Sequence, residues 1–317
     1  MKVWSDLMEP SEFKYVCVIV TFNRKEKLVD SVYSLLDQSV VPRKVVIIDN
    51  HSTDNTMGYL EDNGVLKNPI IDYFQLDKNI GGSGGFYEGL RRAVSLNLDF
   101  DWISVSDDDA VFDRDFFRNV SSSYQPNILA YTGSVRLEDG RLQVSHRRRV
   151  TNYNYLHEKF VDERQYDRNF MIDIASFVGL VVSRSVVKKI GLPRKDFFIW
   201  YDDIEYSLRI REYTKILNVV NAEITHKTEV PSNDYHSQYT PDWREYYGIR
   251  NRLITLRLHT RNHVITFFYI CYSFLSLSVK GLGAKYAKHR VHFLKVVFCA
   301  YWDALWGKMG KNKRFMP

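Results

Sequence analysis

Asp101-Trp102-Ile103-Ser104-Val105-Ser106-Asp107-Asp108-Asp109 is a short apolar run that ends in three adjacent aspartates. Its first six residues have the β-branched and aromatic content of a strand. Three neighbouring carboxylates repel one another, so a fold keeps them most readily where a cation offsets their charge. Side chains at i and i+2 of an extended turn point the same way, which predicts that Asp107 and Asp109 share one hard divalent ion while Asp108 turns elsewhere. A solvated acidic loop is the plainer alternative.

Upstream of this run, residues 15–21, 44–48 and 70–76 also have strand character, and residues 25–38 and 83–96 carry apolar residues at helical spacing. Strands separated by helices predict a mostly parallel α/β sheet covered on both faces, with ligands at the carboxyl ends of its strands. Asn23, Arg24, Asp49 and Asn79 fall at those ends, beside the triplet. Between them, Asn79-Ile80-Gly81-Gly82-Ser83-Gly84-Gly85 reads as a loop whose backbone approaches a ligand closely, or as an ordinary flexible turn. Its spacing is not the dinucleotide fingerprint. Downstream, 130–182 is less regular, with a basic cluster at 146–149 that suits either phosphate contact or a solvated loop. Residues 177–182 and 215–220 read as strands, the second followed by a loop with His226, while 202–212 and 243–258 read as helices.

The chain has 317 residues, 45% of them hydrophobic, ample for one large domain with a smaller attachment. The first twelve residues lack the apolar segment of a secretion signal, and the three cysteines (Cys17, Cys271, Cys299) lack metal-ligand spacing. A reducing, cytoplasmic setting is expected. Residues 281–317 hold eight Lys/Arg against one acid, Asp303, so the net charge of +6 belongs to the tail. That placement, with no recognition motif in the body, argues against a nucleic-acid binder. Residues 264–279 are uncharged but shorter than the roughly 20 residues of a spanning helix. Val291, Leu294, Phe298, Tyr301, Trp302 and Leu305 then recur at helical spacing beside lysines and arginine. Residues 261–317 are therefore expected to be a helical, amphipathic segment that meets an anionic membrane surface or a partner, or a hairpin packed on the main domain.

A second carboxylate cluster, Trp200-Tyr201-Asp202-Asp203-Ile204-Glu205, opens a helix. The helix dipole alone favours acids there, yet aromatic rings beside carboxylates also make a sugar site, and a carboxylate near a hydroxyl can remove its proton. With these pieces in order, the chain from about 15 to 252 resembles the inverting glycosyltransferases of family 2, which have the GT-A fold. The resemblance is carried by Val20-Thr21-Phe22-Asn23-Arg24, Ile48-Asp49-Asn50-His51-Ser52-Thr53-Asp54, the aspartate triplet, the Trp200–Glu205 motif and Tyr246-Tyr247-Gly248-Ile249-Arg250-Asn251-Arg252. The glycine tract followed by Phe86 looks most like bacterial galactofuranosyltransferases, with rhamnosyltransferases close by.

The resemblance implies residues 1–260 as the transferase domain, with 13–110 binding donor and 111–260 binding acceptor. It implies a nucleotide pocket of Thr21, Asn23, Arg24, Asp49, Asn79, Gly82, Asp107 and Asp108, and Mn2+ or Mg2+ held by Asp107, Asp109 and His226. Asp203 would be the general base, with Trp200, Tyr201 and Asp202 positioning the acceptor. The implied donor is UDP-galactofuranose, or dTDP-rhamnose in the related group. The basic tail points to a lipid-linked glycan acceptor on the inner face of the cell membrane. A homo-oligomer stays open, as does a non-catalytic module that keeps the pocket for recognition.

Overall fold

The structure, a computed structural model, describes residues 13–228 and 238–316. Among them the strands are β1 (Tyr15–Thr21), β2 (Lys44–Asp49), β3 (Ile71–Gln75), β4 (Trp102–Asp107), β5 (Ala110–Phe112), β6 (Ala130–Leu137), β7 (Arg147–Asn152), β8 (His157–Phe160), β9 (Phe170–Ile172), β10 (Ile174–Ala175), β11 (Val178–Ser183) and β12 (Ile216–His226). The α-helices are α1 (Lys25–Leu36), α2 (Thr56–Asp62), α3 (Gly81–Ser95), α4 (Phe116–Ser122), α5 (Arg184–Ile190), α6 (Asp202–Arg211), α7 (Arg244–His259), α8 (His263–Gly281) and α9 (Arg290–Leu305).

Every residue of β1 is buried, and its side chains alternate between two cores. Cys17 and Ile19 pack with Leu28 and Val32 of α1, whereas Val16, Val18 and Val20 pack with Phe86 and Leu90 of α3. A strand covered on both faces needs helical crossovers, and α1, α2 and α3 supply them. The sheet runs β3-β2-β1-β4-β11-β6-β12-β5, with β9 also on β12. The first four strands are parallel, as expected. The rest is mixed: β11 is antiparallel to both β4 and β6, while β6 and β12 are parallel. Register pairs Thr21 with Asp49 and Val20 with Asp107, so the carboxyl ends of β1, β2 and β4 lie level.

Three local expectations change. The glycine tract is no loop: Gly81 begins α3. A Cβ on Gly81, whose φ is +80°, would stand 2.0 Å from the Phe198 carbonyl oxygen, and one on Gly85 would stand 2.5 Å from Val20 Cγ1. Those glycines let α3 press against its neighbours. Gly82 has open space before it and lines the cleft described below. The strand read at 215–220 extends to His226 by a register shift between Val219 and Glu223, so that histidine ends a strand instead of sitting in a loop. Finally, the basic cluster is neither solvated nor free for phosphate. Arg147 is fully buried and donates to the carbonyls of Gly133 and Val178. Arg148 pairs with Glu158 across the β7–β8 hairpin, and Arg149 donates to the Met171 carbonyl.

The C-terminal helices join the body through shared cores. Phe197 packs with Leu253 of α7 and with Phe293 and Tyr301 of α9, and Phe198 with Tyr246, Tyr247 and Val296. Tyr246 donates to Asp303, and Tyr247 to the Phe315 carbonyl.

Candidate active site

A cleft opens at the level carboxyl ends of the parallel strands. Thr21, Arg24, Asn50, Asn79, Gly82, Asp107 and Asp108 line one side, and Phe198, Ile199, Trp243 and Arg244 the other. The β4 end concentrates charge there. Arg24 Nη1 donates to both Asp108 Oδ1 (3.2 Å) and Asp109 Oδ2 (3.0 Å), and Thr21 Oγ1 donates to Asp108 Oδ2 (2.7 Å). The adjacent pair is thus bridged, and Asp108 is tied inward instead of turning away from its neighbours. Asp109 Oδ1 lies 3.0 Å from His226 Nε2, whose Nδ1 lies 2.8 Å from Gln143 Oε1. No hydrogen bond from the described residues reaches the Asp107 side chain, which is partly open to the cleft.

Burial pushes Asp107 well above the ordinary carboxylate range, reinforced by the charges of Asp109 and Asp108. Asp108 is pushed up to about 6 by burial, against the opposing pull of Arg24 and Thr21. Asp109 goes the other way: burial is outweighed by the His226 hydrogen bond and by Arg24, which hold it below the usual value. The second cluster adds to the load. Asp202, only 7% exposed, is raised to about 7 by burial and by Asp203, and its own charge contributes to the upward push on Asp107. Asp203 is raised by burial, opposed by the Arg148 charge and by its bond from the Ile204 N–H. The two aspartates therefore face different surroundings, Asp202 toward Asp107 and Asp203 toward the Arg148–Glu158 pair.

The segment leading into α6 is strained. Phe198, Trp200 and Tyr201 all have positive φ (69°, 63° and 71°), which costs side-chain-bearing residues about 1–3 kcal/mol each. Buried Asn251 of α7 holds it, its Nδ2 lying 2.9–3.0 Å from the carbonyls of Phe197, Ile199 and Trp200. Arg250 Nη2 donates to the Phe197 carbonyl as well (2.9 Å). Trp200, 44% exposed, rests its ring edge on α7 at Gly248, where a Cβ would come within 2.9 Å. Tyr201 lies with Glu158 and Arg252 rather than in the cleft lined by Asp107 and Asp108.

Two residues expected in the pocket are not among those lining it. Asn23, at φ +54°, accepts from the Thr53 N–H through its side chain and donates its backbone N–H to Ser52. Asp49 is wholly buried and accepts from the Ser52 N–H and the Tyr73 hydroxyl. Both shape the loop after β2, and Asn50 reaches the cleft instead, donating to Asn79 Oδ1 (3.2 Å) and accepting from the Ile80 N–H. Asn50 and Asn251 had a sequence signal, since they lie in the Ile48–Asp54 and Tyr246–Arg252 motifs. Arg244, Trp243 and Ile199 had none.

A model of "Glycosyl transferase family 2" matches residues 16–191, more than half the chain. The chain belongs to that family. As a family 2 glycosyltransferase it is similar to galactofuranosyltransferase GlfT1 of Mycolicibacterium smegmatis, 25% identical over 251 residues, 75% of this chain and 81% of that one. It is similar also to dTDP-rhamnosyl transferase RfbF of Shigella flexneri, 25% identical over 309 residues, 93% and 97% of the two chains. Among solved structures it resembles the mannosyltransferase PcManGT of Pyrobaculum calidifontis, in complex with GDP-Man and Mn2+, with a TM-score of 0.58, 14% identity, and coverage of 97% of this chain and 91% of that one. TarS 1-349 of S. aureus matches with a TM-score of 0.58, 14% identity, and 92% and 80% coverage. These likenesses establish the GT-A fold.

Two outcomes follow for the family 2 site. Asn251→Ala should destabilise the chain by about 1–3 kcal/mol in urea unfolding, because it strands buried carbonyls of a strained turn. Asp202→Asn should stabilise it by up to about 4 kcal/mol at pH 8 and by little at pH 4. The sign follows from the raised value: between pH 4 and about 7 the folded state keeps a proton the unfolded chain has lost, so stability falls as pH rises. Thermal melts of both proteins across that range measure it.

Proposed function

We propose that this glycosyltransferase moves a sugar, with inversion, from a nucleoside-diphosphate donor to a hydroxyl of a glycan acceptor in cell-surface polysaccharide synthesis. The donor proposed is UDP-galactofuranose, supported by the GlfT1 relative. One observation carries the proposal: a buried carboxylate group at the end of β4, partly bridged by Arg24, opening on a cleft, with Asp202 of a second carboxylate pair close enough to act on Asp107. The RfbF relative, which spans nearly the whole of both chains, favours dTDP-rhamnose as the second reading.

The donor set suits a hard divalent ion. Asp107 has an anion raised in energy and unpaired among the described residues, and Asp109 with His226 offers carboxylate and imidazole atoms beside it. Among the described residues no three such side chains already stand as a closed metal cage. Asp107, Asp109 and His226 would hold Mn2+ or Mg2+ once the Asp109–His226 bond gives way. The bound ion supplies Lewis-acid stabilisation of the departing diphosphate. Arg24 supplies positive charge at the same face, and Asn79, Asn50 and Gly82 shape the nucleotide side.

Asp203 is the proposed base, withdrawing the acceptor proton as attack proceeds, while Asp202 and Trp200 position the sugar. Its elevated proton affinity suits that role. Asp202, near 7 and toward Asp107, is the other carboxyl able to take the proton. The proposed acceptor is lipid-linked.

Nucleotide release from UDP-galactofuranose and dTDP-rhamnose, with and without Mn2+, tests the proposal. UDP should appear only with the metal, and Asp109→Ala should weaken metal-assisted donor binding by at least about tenfold. Preferential dTDP release would select the rhamnose reading. Binding without release from any donor would favour a recognition module. Asp203→Asn should lower turnover by about 10²- to 10⁴-fold with donor binding retained. Near-normal turnover there, with a loss in Asp202→Asn, would move the base to Asp202.

A further inference from the structure

Among the described residues, exposed large apolar side chains concentrate on α8 and α9. On α8, Val264, Phe268, Tyr272, Leu275 and Val279 follow one another at three- and four-residue spacing, each more than half exposed. On α9, Val291, Phe298, Trp302 and Leu305 form a matching exposed stripe, and exposed Lys295 lies within it. Between the helices runs a groove of ≈ 770 Å³ whose walls include Phe267, Ile270, Phe274, Phe298 and Trp302. Contiguous apolar surface of this kind marks an interaction face.

The opposite side of α8 is tied to the body. Thr266 Oγ1 donates to the Asn154 carbonyl (2.9 Å), and Arg252 of α7 donates to the Tyr269 hydroxyl (2.7 Å). Tyr155 stacks on Tyr269 at 5.0 Å. With 19 residues, about 28 Å, α8 is long and apolar enough to cross a bilayer, longer than the uncharged stretch implied. Crossing would break every one of those ties. Lying flat breaks none.

Charge selects the occupant. Residues 246–302 contain nine Lys/Arg and no Asp or Glu. Lys280, Lys285, Lys288 and Lys295 are exposed about the turn from α8 to α9. A second copy docked face to face would set these lysines against one another, whereas lipid phosphates would neutralise them. We infer that α8 and α9 form a monotopic membrane surface for an anionic leaflet. Their outer stripes enter its apolar edge, the lysines meet its phosphates, and the groove takes an acyl chain. This face is separate from the carboxylate cleft and stands independently of the transfer reaction.

Co-sedimentation of the full chain with vesicles tests it, using phosphatidylcholine alone and phosphatidylcholine mixed equally with phosphatidylglycerol. Binding should be at least about tenfold tighter on the anionic vesicles and weaken as salt rises. Phe268→Glu with Leu275→Glu, and separately Lys280→Gln with Lys288→Gln and Lys295→Gln, should each lower it at least about tenfold. Nucleotide binding in lipid-free solution should be unchanged in both, which also reports that they fold; if the glutamate pair does not, the lysine variant decides. Wild-type protein left in the supernatant, or equal binding to both vesicles, overturns the inference. So does a lipid-free dimer that the glutamate pair dissociates while vesicle binding is absent. Wild-type protein that sediments but binds no nucleotide counts against the transfer proposal alone.

Discussion

Negative charge held out of water at the end of β4 is the constraint around which the rest is arranged. Asp107, Asp108, Asp202 and Asp203 are all pushed toward their protonated forms by burial, and Asp109 escapes through His226 and Arg24, aided by Lys27. Arg24 must serve two carboxylates with one nitrogen, so the cluster is undersupplied with positive charge. A stability-driven fold would replace such a group with apolar side chains. Its retention at the mouth of a cleft, among strands whose ends are level, is the mark of a site that completes itself with a ligand.

The two halves of the sheet contribute differently. The parallel half carries Thr21, Asn50 and the triplet at the ends of strands locked by α1 and α3, which gives the cleft a rigid floor. The mixed half brings His226 in from β12, which pairs with β5 just beyond the triplet, His226 opposite Ala110. The Asp202–Asp203 pair follows a strained turn, and the restraint comes from far along the chain: Asn251 and Arg250 reach back from α7 to its carbonyls.

That restraint ties the C-terminal helices to the chemistry. Tyr246 and Tyr247, one turn before Asn251, anchor Asp303 and the Phe315 carbonyl, and their rings share a core with Phe198. Phe198 in turn receives the Ser83 N–H through its carbonyl. A surface built from α8 and α9 is therefore joined to the cleft through the packing of α7 and α9 against Phe197 and Phe198.

Much of this was legible in residue order. The β-rich runs before Asp49 and Asp107, with amphipathic stretches between, determined a parallel sheet, because only crossover helices can bury both faces of such strands. The aspartate triplet placed the candidate site at the strand ends. Local pattern could not say which polar residue faces the cleft. Asp49 and Asn23 brace the loop after β2 while Asn50 lines the cleft, a choice made by β2 register and by the Asn79 partner. The glycine tract looked like a ligand loop because loops and tight helix packing need the same missing Cβ; only the position of Val20 and Phe198 distinguishes them. The basic cluster looked solvated because charge usually is, yet Arg147 is enclosed by carbonyls from strands distant in sequence. Periodicity reports which face of an element is apolar, whereas the identity of what it meets is a long-range property that only the assembled fold supplies.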